Sequence, residues 1–238
     1  RQQTDAMEAA IDGMAILNEQ GEYAYLNRAH AEIYGYDSAE ELIGKSWKTL
    51  YDDEELRRFA RDIMPALGRK GRWHGEARGL KKDGTRFPQE LSLTVLSDGG
   101  LVCVIQDITR RKMAEELLEA ERTLLKSMID TVPDRIYAKD KLGRFIVCNE
   151  AMVRRMGKTT MAEIVGKSDI DLLPKELAER FHSDEQTIIR TGTPLINSEE
   201  PLEIVDGRVT RWNLATKVPL LDKDGNRIGI VGVGREIT

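Results

Sequence analysis

Long apolar runs are missing from this sequence of 238 residues; no stretch approaches the roughly 20 residues a membrane-spanning helix requires. Cysteine is scarce too. Only Cys103 and Cys148 occur, each inside an apolar, strand-like run with no CxxC or Cys/His spacing, which argues for buried thiols rather than a disulfide framework. The three histidines, His30, His74 and His182, lie far apart and none stands at a metal-ligand spacing. GxSxG, P-loop and HExxH motifs are absent, so no catalytic constellation is expected. A net charge of -5 leaves no broad basic field for phosphates, despite the small Arg110-Arg111-Lys112 cluster, and direct nucleic-acid binding is not expected. Arg1-Gln2-Gln3-Thr4 does not open a secretory signal, and the expectation is a cytoplasmic fragment without a membrane segment.

What is present is a soluble, globular composition, 40% hydrophobic and 32% charged, long enough for two domains of about 100 to 120 residues. An internal repeat divides it. Asn18-Glu19-Gln20-Gly21 and Leu26-Asn27-Arg28-Ala29 return as Asp140-Lys141-Leu142-Gly143 and Cys148-Asn149-Glu150-Ala151, displaced by 122 (149 − 27). Ala39-Glu40-Glu41-Leu42-Ile43-Gly44-Lys45-Ser46 returns as Met161-Ala162-Glu163-Ile164-Val165-Gly166-Lys167-Ser168 in the same register. Asp83-Gly84 meets Asp206-Gly207 at 123, and Asp107-Ile108-Thr109 meets Glu236-Ile237-Thr238 at 129. Most of that slip is expected between the hairpin turns Ser97 to Gly100 and Asp222 to Asn226, where insertions are tolerated.

Each copy reads as two strands, short helices, then three strands. In the first, Met14 to Leu17 and Glu22 to Leu26 flank a turn at Gly21, and Leu91, Leu93 and Val95 alternate as a half-buried strand. Leu101 to Ile108 is a more continuous apolar run. The predicted class is α+β: two five-stranded antiparallel sheets, each with helices on one face, in domains 1-109 and 130-238. Between them, 110-129 lacks Gly and Pro and carries Met113, Leu117, Ala120 and Leu124 at spacings of four, three and four, an amphipathic helix with a narrow apolar seam. Packing of that seam on its own domain is the competing reading. Met7, Ala10 and Ile11 predict a shorter helix entering the first copy.

Taken in order, the Asp/Asn-x-x-Gly turn, the following Asn, the Glu-Glu-Leu-Ile-Gly-Lys helix end, the Lys-Asp-Gly hairpin and the closing Asp-Ile-Thr resemble the PAS family, over nearly all of the chain. The resemblance implies a non-catalytic sensory or dimerisation module that relays ligand, redox or light signals through flanking helices. It also implies an effector beyond Thr238, a histidine kinase or a cyclic-dinucleotide enzyme, whose signatures this sequence does not contain. Asp107 and Thr109 are then the start of the relay, holding the helix whose seam, Leu117 and Leu124, pairs two copies into a homodimer.

Candidate ligand positions follow from the same resemblance. The cysteine-bearing run of the light-sensing members is absent. FAD in the first domain would use Asn27, Trp47 and Trp73 by hydrogen bonding and stacking, against core packing for the two tryptophans. Haem in the second would take His182, at the edge of the stripe Leu177, Phe181 and Ile188 on a helix from about Pro174 to Arg190, against the commoner reading of a solvated or hydrogen-bonded surface histidine. Arg135, Tyr137, Arg211 and Trp212, on predicted strands of the second copy, would orient a small carboxylate or other anion, unless they decorate solvated strand faces. The overall expectation is a sensor input region for a small ligand, redox state or gas. Its rivals are a ligand-free interaction scaffold and a flavin- or haem-bearing sensor.

Overall fold

A computed structural model describes residues 7–205 and 208–237. The first sheet is built from β1 (Gly13–Leu17), β2 (Tyr23–Leu26), β3 (Arg72–Leu80), β4 (Arg86–Val95) and β5 (Leu101–Asp107), in the order β2-β1-β5-β4-β3. The second repeats it with β6 (Arg135–Asp140), β7 (Phe145–Cys148), β8 (Leu195–Val205), β9 (Arg208–Leu221) and β10 (Arg227–Glu236), in the order β7-β6-β10-β9-β8. Every pairing is antiparallel. Short helices connect the second and third strand of each sheet, giving two α+β units.

The repeated motifs make the same hydrogen bonds twice. Gly21 and Gly143 both take φ of 75°, the left-handed turn that a residue with a Cβ resists. Beside them, Asn18 Oδ1 accepts from the amides of Gln20 and Glu22, and Asp140 Oδ1 from those of Leu142 and Arg144. Asn27 caps α1 (Arg28–Ile33) and Asn149 caps α5 (Glu150–Arg155), each bonding a helix N–H and reaching back to the first strand of its sheet.

In the first unit, α2 (Asp53–Arg58) and α3 (Met64–Lys70) are joined by a π turn over Phe59–Ile63. Pro65 explains the widening: it has no N–H to give the Arg61 carbonyl. The connector, α4 (Thr109–Thr131), is continuous, and the chain divides into two compact units within it, between Glu119 and Ala120. In the second unit, α6 (Asp169–Leu172) precedes the long α7 (Lys175–Thr191).

Two expectations are corrected. The register slip is not in the hairpin loops, since five residues join β4 to β5 and five join β9 to β10; the arms of the second hairpin are longer instead, with a bulge between Arg227 and Gly229. Ile11 lies beyond the entering turn and is 93% exposed. Asp206-Gly207 and Thr238 lie outside the described residues.

Candidate functional site

The two interiors differ in chemistry at equivalent positions of the repeat. In the first unit the face of β1 toward the helices presents Gly13, Ala15 and Leu17; 122 residues later β6 presents Arg135, Tyr137 and Lys139. The residue matching Trp47 is Asp169, and the strand pairings set Lys217 where the first sheet has Leu93. Bulk is exchanged across the sheet as well. Gly13 faces Ile105 in the first unit, whereas Gly234 and Gly232 face Arg135 and Tyr137 in the second, and a Cβ on Gly232 would fall 2.2 Å from the Tyr137 ring.

These replacements bury ions. Lys139, with a side chain 2% exposed, donates to Asp169 and, over 2.7 Å, to Glu185 Oε1, both carboxylates being almost as enclosed. Lys217 donates to Glu200 over 2.8 Å, again inside the protein. The ammonium of Lys139 stands 4.6 Å from the centre of the Phe145 ring, and that of Lys217 4.7 Å from Phe181. Burial raises the carboxyl of Glu185 to about 6 against the pull of Lys139, with Asp169 adding to the rise. Beside these pairs lies a cavity of about 50 Å³ between β6, β9 and the helices. Arg135, Arg155, Asn213, Lys217, Met152 and Phe181 are among its walls. Arg135 is buried and hydrogen-bonds Asn213 Oδ1; burial first, and then the like charge of Arg155, lower its pKa.

The first unit fills the corresponding space. Tyr34 donates to Gln89 Oε1 and Gln89 donates to the Tyr51 hydroxyl, both over 2.8 Å, while Phe59, Phe87, Leu91 and Ile105 close the core around them. His30 is fully buried between Tyr23 and Tyr34 at ring distances of 5.4 and 5.2 Å, and burial pushes its pKa down to about 3, keeping the imidazole neutral.

Comparison with known proteins agrees with both halves. A family model of the PAS domain matches residues 11–110, and one of the PAS fold matches residues 129–238. Both units belong to the PAS family. The chain is 30% identical over 120 residues to the aerobic respiration control sensor protein ArcB of Escherichia coli, a match covering 50% of this chain and 15% of ArcB. It is 35% identical over 145 residues to the virulence sensor protein BvgS of Bordetella pertussis, covering 58% of this chain and 11% of BvgS. Among solved structures, a PAS domain from Colwellia psychrerythraea is 25% identical and covers 46% of this chain and 96% of its own, with a TM-score of 0.43.

In the first PAS domain the proposed flavin contacts are engaged elsewhere. Asn27 Oδ1 accepts from the amides of Met14 and His30 while its Nδ2 donates to the carbonyls of Met7 and Asp12, so the capacity of its amide is used. Trp47 packs against Phe59 and Tyr51, at ring distances of 4.8 and 5.6 Å, and Trp73 lies over Gly75 against the core. These residues do not fit a flavin site. In the second domain His182 turns toward the Gly143 turn, where a Cβ would come 3.1 Å from its Nδ1; its neighbour Phe181 is the residue in the cavity wall. A cavity of 50 Å³ without an imidazole in its wall does not fit haem either.

Of the four residues suggested for an anion, Arg135 and Tyr137 reach the cavity. Arg211 does not; it forms a two-point pair with Glu236, over 2.6 and 2.7 Å, and Trp212 is 40% exposed on the opposite face of β9 from Asn213. Lys139, Asp169, Glu185, Glu200, Asn213 and Lys217 escaped the sequence reading. The signal was available, because Glu185 interrupts the stripe Leu177, Phe181 and Ile188, and Lys139 and Lys217 stand at inward positions of strands. Asp107 Oδ1 accepts from both the backbone N–H and the hydroxyl of Thr109, at the start of α4, where Leu117 and Leu124 are 71% and 60% exposed. No helix among the described residues is long and apolar enough to cross a membrane.

Proposed function

We propose that the chain is a sensory input region in which the second PAS domain receives a small-molecule signal and the first is a filled dimerisation scaffold. The observation that carries this reading is the contrast at equivalent repeat positions: charged side chains around a cavity in one domain, close-packed aromatic and aliphatic groups in the other. Burying two lysines and three carboxylates is expensive without a use for the space they surround. The sensor proteins ArcB and BvgS support an effector following the chain, and we assign that role to a histidine kinase inside the cell.

Coupling to the connector helix would run through the side-chain amide of Asn149. Asn149 Nδ2 holds the carbonyl of Ile129 near the end of α4 and that of Asp134 at the start of β6, so a shift of β6 about the cavity is passed to the helix. The exposed seam of α4 would be covered by the same helix of a second copy. Met156→Trp, which fills the cavity, tests the reading in the intact sensor. Its output should become insensitive to the signal, whereas Trp47→Phe in the first domain should leave the response in place. A normal response in Met156→Trp would refute the assignment of the second domain as receiver.

A further inference from the structure

We infer that the second PAS domain binds a proton on Glu185, inside the enclosed cluster of Lys139, Asp169 and Glu185, and passes acidification on to β6 and β10. The site goes beyond the cavity as a small-molecule site and does not depend on it.

The balance of charge comes first. Lys217 matches Glu200 one to one, whereas Lys139 alone faces both Asp169 and Glu185, so the three-ion cluster carries one negative charge in excess. All three side chains are at most 5% exposed, and solvent does little to screen that excess. A buried carboxylate without a counter-ion of its own is relieved by taking up a proton.

Geometry names the atom. Glu185 Oε1 accepts from Lys139 over 2.7 Å, while Oε2 is buried with no hydrogen-bond partner among the described residues. Buried polar atoms are nearly always bonded, and an ionised oxygen left alone costs more than a neutral hydroxyl in the same place. A proton on Oε2 leaves the bond at Oε1 standing and brings the cluster to neutrality.

The groups around Glu185 set the range. Its helix, α7, packs on α6, β8, β9 and β10. Burial raises the carboxyl most; Lys139 from β6 pulls it down, Asp169 from α6 raises it again, and Lys217 from β9 lowers it, which leaves it at about 6. Burial and then the charge of Glu185 hold the Tyr137 hydroxyl far above its usual range, so it stays neutral. Glu200 of β8 is taken by Lys217. Arg227 of β10 donates to the Arg190 carbonyl at the end of α7, and in the β6–β7 turn Asp140 is paired with Arg144 while the Lys141 carbonyl accepts from Gln186. His182, on α7 itself, turns toward Gly143. The proton is therefore bound as pH falls through 6 and released above it.

Uptake changes what holds Lys139. One of its two charged acceptors becomes neutral, and the ammonium is drawn toward Asp169. β6 does not move alone there, because Lys139 pairs with Ile230 and a Cβ on Gly229 would fall 1.9 Å from the Lys139 carbonyl oxygen. The shift is shared with β10.

The test is a pH titration of the full chain from pH 4 to pH 8 at one ionic strength, followed by nuclear magnetic resonance of uniformly labelled protein. The Glu185 carboxyl carbon, assigned through its own methylene protons, should titrate with a midpoint at about 6, and the amides of Lys139 and Ile230 should move with the same midpoint. Glu185→Gln should hold both amides at one position throughout, close to that of the unaltered chain in acid, and His182→Gln should leave the midpoint where it is. The carboxyl readout on the unaltered chain decides even where a variant fails to fold. A Glu185 carboxyl that titrates at its ordinary 4.5 or below overturns the proton site, and amides that keep their midpoint in Glu185→Gln overturn its action on the strands.

Discussion

Replacing Lys139 by Met removes the cation from a buried three-ion cluster while keeping its length and most of its volume. Asp169 and Glu185, with side chains 5% and 1% exposed, are left facing each other without a counter-ion. Breaking a buried pair in this way costs about 3 to 5 kcal/mol. That is a large share of the roughly 5 to 15 kcal/mol that holds a domain together. The loss should itself depend on pH. With the cation gone, burial and the neighbouring charge raise the Glu185 carboxyl without the opposing pull of Lys139, so its contribution is present below the unfolded pKa and is lost as pH rises through the raised folded value. The deficit is therefore smaller at pH 5 than at pH 8. Adding Asp169→Leu and Glu185→Leu to Lys139→Leu should recover most of it, since the first domain carries Trp47 and Leu17 at the positions of Asp169 and Lys139 and packs them apolar. Trp212 is the second domain's tryptophan, so urea unfolding followed by its fluorescence in a Trp47→Phe, Trp73→Phe background reports that domain alone. A cost below about 1 kcal/mol at pH 7, or the same cost at pH 5 and pH 8, would refute the sequestered-cluster argument.

Glu185→Gln provides a second pH test. The wild-type carboxyl sits at about 6, above its ordinary 4.5, so its contribution is complete below pH 4.5 and lost as pH rises through 6. The stability of wild type relative to Glu185→Gln should fall by about 2 kcal/mol between pH 4 and pH 7.5, measured by urea unfolding. Asp107→Ala removes the two bonds to Thr109 and should cost about 1 kcal/mol, seen as faster amide exchange in the first turn of α4. Leu117→Glu with Leu124→Glu should leave the melting of both domains unchanged, because both side chains are exposed, yet yield a monomer in sedimentation where the unaltered chain forms the proposed dimer; an unchanged molecular mass would remove the seam from that proposal.

The architecture was legible because it is written in features that survive without long-range information. The turn at Asn18 to Gly21, the capping Asn27 and their copies at Asp140 to Gly143 and Asn149 bond within a few residues or to the adjacent strand, so residue type and spacing specify them. Strand alternation at Leu91 and Leu93 marks the buried face of β4 for the same reason. The site was legible only in part. Arg135 and Tyr137 stood out as polar groups on a strand, but Lys139 reads as a solvated lysine until Asp169 and Glu185, 30 and 46 residues away, are brought to it. Trp47 and Trp73 read either as packing residues or as flavin contacts, and both pack against the core, since a tryptophan's ring suits either use and only the arrangement of Phe59, Tyr51 and Gly75 around them decides. The π turn before Pro65 shows the same limit at short range: the proline was visible, but whether the helix would end, kink or widen depended on its packing.

The most direct test of a receiving second domain and a filled first one uses the three tryptophans, Trp47 and Trp73 in the first and Trp212 in the second. The full chain labelled with 5-fluorotryptophan gives three fluorine resonances, to be followed while a library of small acids, amides, alcohols and amines is added. The account predicts compounds that shift the Trp212 resonance saturably and leave Trp47 and Trp73 where they are. Shifts confined to Trp47 or Trp73, with Trp212 unmoved throughout, would contradict it.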